Sequence, residues 1–255
     1  MQNSHKWLSR FRLKSKTWVY VPTRETVREG KLFKKLIELK WHPPKNYYHL
    51  RSGGHVDAAR YHLGGKFFVR LDIKRFFNSI NRSRITRVLK PYFGYEKSRL
   101  IAMESTVSIP LDLGQAFALP FGFVQSTILS SICLHKSSLG KVIDHLNRTE
   151  GVRVSVYVDD IVISAQRVEE AFMALTMIQE GAAKSGFQLN KEKREGPADK
   201  ITVFNIDLTS GSMEITDDRF AELLLAYREA SSDKQRTGIW GYVNSINSAQ
   251  ALMLV

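Results

Sequence analysis

Tyr157-Val158-Asp159-Asp160 stands between two short apolar runs, Arg153-Val154-Ser155-Val156 before it and Ile161-Val162-Ile163-Ser164 after it. β-Branched residues on both sides of so short a break predict two antiparallel strands joined by a tight hairpin. Two adjacent carboxylates then crown the hairpin. Aspartate is also favoured where hairpins need positive φ, so the pair taken alone reads equally well as a plain turn. A third carboxylate changes the balance. Lys66 to Ile73 predicts a strand that delivers Asp72 near its end, and a sheet that sets this strand beside the hairpin gathers all three.

The surrounding elements allow that sheet. Lys31 to Lys40 reads as an amphipathic helix through Leu32, Phe33, Leu36, Ile37 and Leu39, ended by Pro43-Pro44. A helix is expected to begin near Ser83 as N-cap, and Ser126 to Arg148 reads as one long helix. A second long helix runs from about Val168 to Ser185, is stopped by Gly186, and precedes a strand over Ile201 to Leu208. The order strand, helix, strand, strand, helix, strand is a split βαβ sheet of the ferredoxin-like kind. The tail from Asp217 to Val255 reads as about two helices parted near Gly238 and Gly241.

Three clustered carboxylates repel one another unless cations neutralise them. Hard oxygen ligands suit Mg²⁺, and two such ions roughly 4 Å apart can activate a 3′-hydroxyl and stabilise leaving pyrophosphate. The charge balance points to the substrate: 38 Lys and Arg against 25 Asp and Glu give a net +13, which suits a phosphate backbone. The first 65 residues hold much of it, with Trp7, Arg10, Arg12, Lys14, Lys16, Trp18, Arg24 and Arg28 interleaving basic and aromatic side chains. One cysteine, Cys133, allows neither an internal disulfide nor a thiolate zinc site, and fits a reducing cytoplasm. Met1 to Trp7 lacks the apolar core of a signal peptide, and no apolar run reaches the ~20 residues that span a bilayer. The expectation is a cytoplasmic protein without a membrane partner.

With these segments in place, the chain resembles the bacterial reverse transcriptases, the group that holds retron, group II intron and phage-defence enzymes. The resemblance covers about residues 50 to 210. Phe68-Val69-Arg70-Leu71-Asp72-Ile73-Lys74-Arg75-Phe76-Phe77 is similar to the family's first palm motif. It implies that Asp72 and the Ile73 carbonyl bind metal, and that Phe77 lies against the sugar and clashes with a 2′-hydroxyl. Phe76 and Phe77 could both be core only if they did not point opposite ways, as they would at a strand end. Leu119-Pro120-Phe121-Gly122-Phe123-Val124-Gln125-Ser126 resembles the second motif, with Ser126 where a Gly is usual and N-cap geometry open to it. Phe121, Gly122 and Tyr157 are thereby placed against template and primer, and Gln125 against the nucleotide.

Tyr157 to Asp160 matches the third motif, with Asp159 the metal ligand and Asp160 its partner. Gly186-Phe187-Gln188-Leu189-Asn190-Lys191-Glu192-Lys193 is similar to the fourth, which sets Lys193, with Lys191 close behind, near the triphosphate. Arg51, Lys66, Arg70, Lys74 and Arg75 complete the basic residues expected at the nucleotide. Val203 to Asp207 occupies the place of the primer-grip strand. The retron enzymes' Val-Thr-Gly tail string is missing, which sets the chain apart from standard retrons.

The resemblance implies an α+β right-hand polymerase with a ferredoxin-like palm at 66–210. Basic fingers fall at 1–65 with an insertion at 91–118, and a reduced helical thumb at 211–255. It implies RNA-directed DNA synthesis from dNTPs with two Mg²⁺ ions, on an RNA template and with a DNA product. A stand-alone enzyme of this kind would serve phage defence, or act with a dedicated non-coding RNA or a partner protein. Two other readings stay open: an RNA-dependent RNA polymerase, against which Phe77 argues, and a catalytically silent palm acting as an RNA-binding or assembly module.

Overall fold

The computed structural model describes residues 6–14, 17–109 and 116–255. Lys16, the segment 1–5 and the middle of the insertion expected at 91–118 lie outside the described residues. The chain begins with an antiparallel pair, β1 (Trp7–Lys14) and β2 (Thr17–Pro22), which its composition did not announce. The strand period is carried there by arginines: the guanidinium groups of Arg10 and Arg12 lie over the Trp18 ring at 4.6 and 4.9 Å. Helix α1 (Arg24–Glu38) begins well before Lys31 because Thr23 caps it, its hydroxyl accepting the Thr26 N–H. Phe33 and Ile37 are buried as expected, but Leu32 and Leu39 face solvent.

A short α2 (Gly54–Arg60) leads to β3 (Phe67–Asp72), then α3 (Arg82–Phe93) and α4 (Tyr95–Glu104). The cap of α3 is Asn81, not Ser83; its side chain accepts the Arg84 N–H at 2.8 Å. Strands β4 (Val107–Ser108) and β5 (Phe117–Ala118) pair antiparallel. The expected long helix is two, α5 (Ser126–His135) and α6 (Ser138–Leu146). Ser137 breaks it, donating to the Leu134 carbonyl and accepting the Gly140 N–H. Gly140 passes so near the end of α5 that a Cβ would stand 2.2 Å from the His135 carbonyl oxygen.

Strands β6 (Val152–Tyr157) and β7 (Asp160–Ala165) form the expected hairpin. Helix α7 (Val168–Lys184) buries Ala171, Ala174, Leu175, Ile178 and Ala182 at helical spacing, and Gly186 beyond it takes φ +67. There follow β8 (Glu195–Ala198), β9 (Lys200–Val203), β10 (Ile206–Thr209) and β11 (Ser212–Ile215). The strand expected over Ile201–Leu208, and with it the expected primer-grip strand, is folded back on itself. Phe204 and Asn205 take φ +56 and +61, two successive left-handed residues that make a two-residue hairpin turn between β9 and β10. The tail forms α8 (Asp217–Arg228), α9 (Asp233–Ile246) and α10 (Ser248–Leu252). Its breaks fall at the caps Ser232 and Asn247; Gly238 and Gly241 lie inside α9.

Two compact units result. One comprises Met1–Lys45, Ile73–Lys141 and Glu180–Gln188, the other Asn46–Asp72, Val142–Gln179 and Leu189–Val255. The second holds a four-stranded sheet in the order β6-β7-β3-β8 with every neighbouring pair antiparallel, which is the split βαβ order expected. Strand β7 is buried at every residue from Ile161 to Ala165, so both its faces are covered. Phe68 and Val162 of this sheet share a core with Ile201, Leu208, Ile215, Leu223, Val243 and Leu254.

His62 is fully buried in the same unit, its two ring nitrogens each 2.8 Å from a serine hydroxyl, Ser164 on one side and Ser155 on the other. Burial, with Arg153 adding to it, pushes the imidazolium down to about 3 from an ordinary 6.5. The unfolded chain takes up the proton near pH 6.5 and the native chain only near 3. This stabilisation is therefore complete above pH 6.5 and is lost as the pH falls toward 3. Calorimetry between pH 6.5 and 4.5 is expected to show about 2 to 3 kcal/mol lost through this group, and a flatter pH dependence in His62→Gln.

Candidate active site

The register of β3 against β7 sets Asp72, the last residue of one, opposite Asp160, the first of the other. Asp159 lies one residue earlier, in the two-residue turn of the hairpin whose strands close at Tyr157 and Asp160. Three carboxylates from distant sequence positions thus meet at one end of one sheet, as expected. The residue with positive φ in this turn is Val158, at +59, and not an aspartate. A β-branched side chain is crowded in that conformation, and such strain persists only where surroundings hold it. What holds it is His49: its Nδ1 accepts the Val158 N–H at 2.9 Å, and its ring meets Tyr157 edge-on at 5.8 Å. Burial lowers the His49 imidazolium to about 4, so at neutral pH the ring is the uncharged acceptor this bond requires. No spacing rule could have found His49, which lies 109 residues from its partner.

Asp72 is only 5% exposed, and its Oδ1 receives the Lys193 ammonium at 2.5 Å. That hydrogen bond is the main cause holding Lys193 above the ordinary lysine value. Asp160 lies 3.6 Å from Arg70 Nε, yet its Oδ1 is buried without a hydrogen-bond partner. Burial raises the Asp160 carboxyl more than Arg70 lowers it. Asp159 is pushed up to about 6, first by burial and then by Asp160 and Asp72. Arg70 is anchored inside the sheet: its Nη1 donates to Glu195 Oε1 at 3.2 Å and to the Thr202 carbonyl at 3.0 Å. Lys66, Lys74, Arg75 and Lys191 are exposed, as is Arg51, whose guanidinium lies 5.0 Å from the Tyr48 ring.

The donor chemistry fits a hard divalent cation. Asp160 offers a buried oxygen with no hydrogen-bond partner, and Asp159 carries a charge that its neighbours oppose; a cation would answer both. As the side chains stand, no three His, Cys, Asp or Glu among the described residues are gathered to ligate one ion, and Lys193 is the positive charge that faces Asp72.

In the other unit, Phe76 and Phe77 are both buried, against the expectation that they point opposite ways. They follow the strand instead of ending it, and Phe77 opens a turn of 3₁₀ helix, Phe77–Ser79. Phe76 packs on Phe187, and Phe77 meets Phe121 edge-on with centroids 4.6 Å apart. The loop before α5 is pinned to β2: the Phe121 carbonyl accepts the Tyr20 N–H at 2.9 Å, and a Cβ on Gly122 (φ +103) would stand 2.1 Å from the Tyr20 carbonyl oxygen. Gln125, not Ser126, holds the cap position of α5; Ser126 closes the loop by donating to the Pro120 carbonyl at 2.7 Å. Gln125 is buried, with Nε2 on Ser105 Oγ and Oε1 without a partner.

A split βαβ sheet that ends its first strand on one aspartate and carries two more at its hairpin is the palm of a right-hand nucleotide polymerase. The chain belongs to the reverse transcriptase (RNA-dependent DNA polymerase) family, whose model matches residues 26–205. It is similar to the retron Mx65 reverse transcriptase of Myxococcus xanthus, 26% identical over 213 residues that cover 76% of this chain and 49% of that protein. The chain spans about half the length of this curated relative. Among solved structures, the fold is similar to a telomerase of Candida tropicalis, with a TM-score of 0.54, 12% identity, and 85% of this chain and 43% of that one covered. It is likewise similar to a telomerase of Candida albicans in complex with a fragment of telomeric RNA, with a TM-score of 0.53, 10% identity, and 90% and 47% covered.

The crowding of carboxylates makes a stability prediction. A group whose folded value lies above its unfolded one destabilises the fold once the pH exceeds that folded value. Without added divalent metal at pH 7.5, Asp159→Asn is therefore expected to raise the thermal midpoint by a few degrees, about 1 to 2 kcal/mol. An unchanged or lower midpoint would count against the cluster's electrostatic cost.

Proposed function

We propose that this chain synthesises DNA on an RNA template, with Asp72, Asp159 and Asp160 as its catalytic carboxylates. The observation that carries the reading is the Asp72–Asp160 register with Asp159 in the adjoining turn, inside a chain of the reverse transcriptase family. These carboxylates and the Ile73 carbonyl would hold Mg²⁺, which supplies charge neutralisation at the attacking and leaving oxygens. The chain's own part is positioning. Asp159, reluctant to ionise alone, and Asp160, with an unused buried oxygen, are arranged for a positive partner. Lys193 stands within reach of the carboxylates, where its ammonium can neutralise a triphosphate and give a proton to departing pyrophosphate.

The flat edge that Phe77 keeps against Phe121 gives it the rigidity that discrimination against a 2′-hydroxyl needs, and Gln125 is assigned to the nucleotide. Phe121, Gly122 and Tyr157 are assigned to template and primer, and exposed Arg51, Lys66, Lys74 and Arg75 to phosphates. Arg70, held by Asp160 and Glu195, orients the carboxylates instead. The domain reading is fingers at 1–65 with 91–118, palm at 66–210 and a minimal thumb at 211–255. Phage defence, or service to a dedicated non-coding RNA in the cytoplasm, is the biological role proposed by analogy. No described helix is long and apolar enough to cross a membrane.

Primer extension on a defined RNA template tests the reading. Wild type with Mg²⁺ is expected to extend with dNTPs and not NTPs, and Asp159→Ala to lose extension by about 10²- to 10³-fold, as removal of a transition-state charge partner does. Phe77→Val is expected to admit NTPs and to cost about 2 kcal/mol of stability. Extension by wild type with NTPs would make the protein an RNA polymerase. Absence of extension, with RNA binding kept by Asp159→Ala, would make it a binding module.

A further inference from the structure

The unit that contains Ile73–Lys141 and Glu180–Gln188 has a cavity of about 230 Å³ to which none of the proposed catalytic or nucleotide-binding residues contributes. Its walls bring together four cations from three elements: Arg84 and Arg87 of α3, Lys136 at the end of α5, and Lys184 at the end of α7. No carboxylate lines it. Lys184 reaches Glu180 at 3.7 Å across an exposed helix turn, which is worth little. Arg87 and Lys136, both exposed, make no ion pair among the described residues.

Arg84 is the built part of this pocket. Its Nη2 donates to the Ser185 carbonyl at 2.5 Å, and its guanidinium lies 4.5 Å from the Phe187 ring. Its Nη1 is buried without any hydrogen-bond partner. A buried guanidinium donor left unpaired is costly, and the usual answer to such a donor is an anion. Nothing in the walls supplies one. The Cys133 thiol, also in the lining, is pushed up to about 12 by burial and stays uncharged. Burial chiefly, and Arg87 as well, pushes Arg84 below its ordinary value, so the cations oppose one another as they stand. The amides at the start of α6 are already taken, the Leu139 N–H by Ser185 Oγ and the Gly140 N–H by Ser137 Oγ. The partners open to a ligand are therefore side chains.

We propose that this pocket binds a backbone phosphate of an RNA chain. The proposal rests on the reading that the protein works on RNA, and extends it to a second contact outside the polymerising site. A phosphodiester suits the walls better than a nucleotide does. Phe187, the aromatic ring at Arg84, is covered by the guanidinium, so the pocket has charge for a phosphate and no free ring face for a base.

The test is fluorescence anisotropy with a labelled RNA hairpin, titrated between about 50 and 200 mM KCl, since phosphate contacts appear in the salt slope. Wild type is compared with Arg87→Ala/Lys136→Ala, with Arg87→Lys/Lys136→Arg, and with Lys90→Ala/Lys97→Ala as a control of equal charge. The alanine pair in the pocket is expected to bind roughly tenfold more weakly, with a salt slope shallower by about 2, one per cation removed. The charge-keeping pair is expected to bind as wild type does, and the control to lose less than half as much. Thermal midpoints of all variants, with and without inorganic phosphate, accompany the titration. RNA binding by wild type with no difference at the pocket variant overturns this proposal and leaves the proposed function standing. The same null result with inorganic phosphate stabilising wild type alone would assign the pocket to a free phosphate instead. No RNA binding by wild type at all overturns both readings.

Discussion

Asp72 and Asp160 face each other because β3 and β7 pair in one register, and that register is enforced by a sheet buried on both sides. Side chains alternate along a strand, so a slip of one residue would send every inward group outward. Here neither face could accept the exchange. Ile161, Val162, Ile163, Ser164 and Ala165 are all buried, and Ser164 is already spoken for by His62. The apolar packing of the sheet interior therefore fixes the carboxylates at its end to within a residue. Precision at the site is inherited from the core.

What the core enforces, the end of the sheet resists. Two aspartates at the hairpin and one opposite place like charges together in partial burial, and the turn that carries Asp159 bends at a valine with positive φ. Each burden has its counterweight on the same sheet or next to it: Lys193 on Asp72, Arg70 beside Asp160, His49 on the Val158 amide. Strain and repulsion of this kind persist in proteins where function needs them and the surroundings outweigh them. The paired cations matter twice over, because they leave the carboxylates poised but not fully satisfied, and Asp160 keeps an unused oxygen.

Much of this was legible in the chain, and the reasons for the rest are physical. The hairpin and the Asp72 strand are written in apolar β-branched runs and α7 in a helical pattern, and the sheet order followed from them. Two breaks were not, and one expected break is absent. Ser137 ends one helix and starts another through hydroxyl bonds, in a stretch whose apolar period continues unbroken. Phe204-Asn205 makes a turn without the glycine that usually marks one. Gly238 and Gly241 sit inside α9, where a glycine lowers helix propensity but does not forbid a helix supported by tertiary packing. Hydropathy does not mark the β1–β2 pair because its period is carried by arginines over Trp18. Strand geometry does not extend to Phe76 and Phe77 because the strand stops at Asp72.

His49 and Arg70 show the limit of reading roles from residue type. Arg70 has the charge of a triphosphate ligand and sits two residues from Asp72, yet its guanidinium is bonded to Glu195 and the Thr202 carbonyl and leans on Asp160. His49 has the look of a metal ligand or a base, yet burial keeps it neutral and its nitrogen is occupied by a backbone amide. In both cases the partner that decides the role lies far away in sequence, and only the fold supplies it. The same logic separates the remaining cations. Arg70 is committed within the sheet, whereas Arg87 and Lys136 are exposed and make no ion pair among the described residues, and the buried Nη1 of Arg84 has no hydrogen-bond partner.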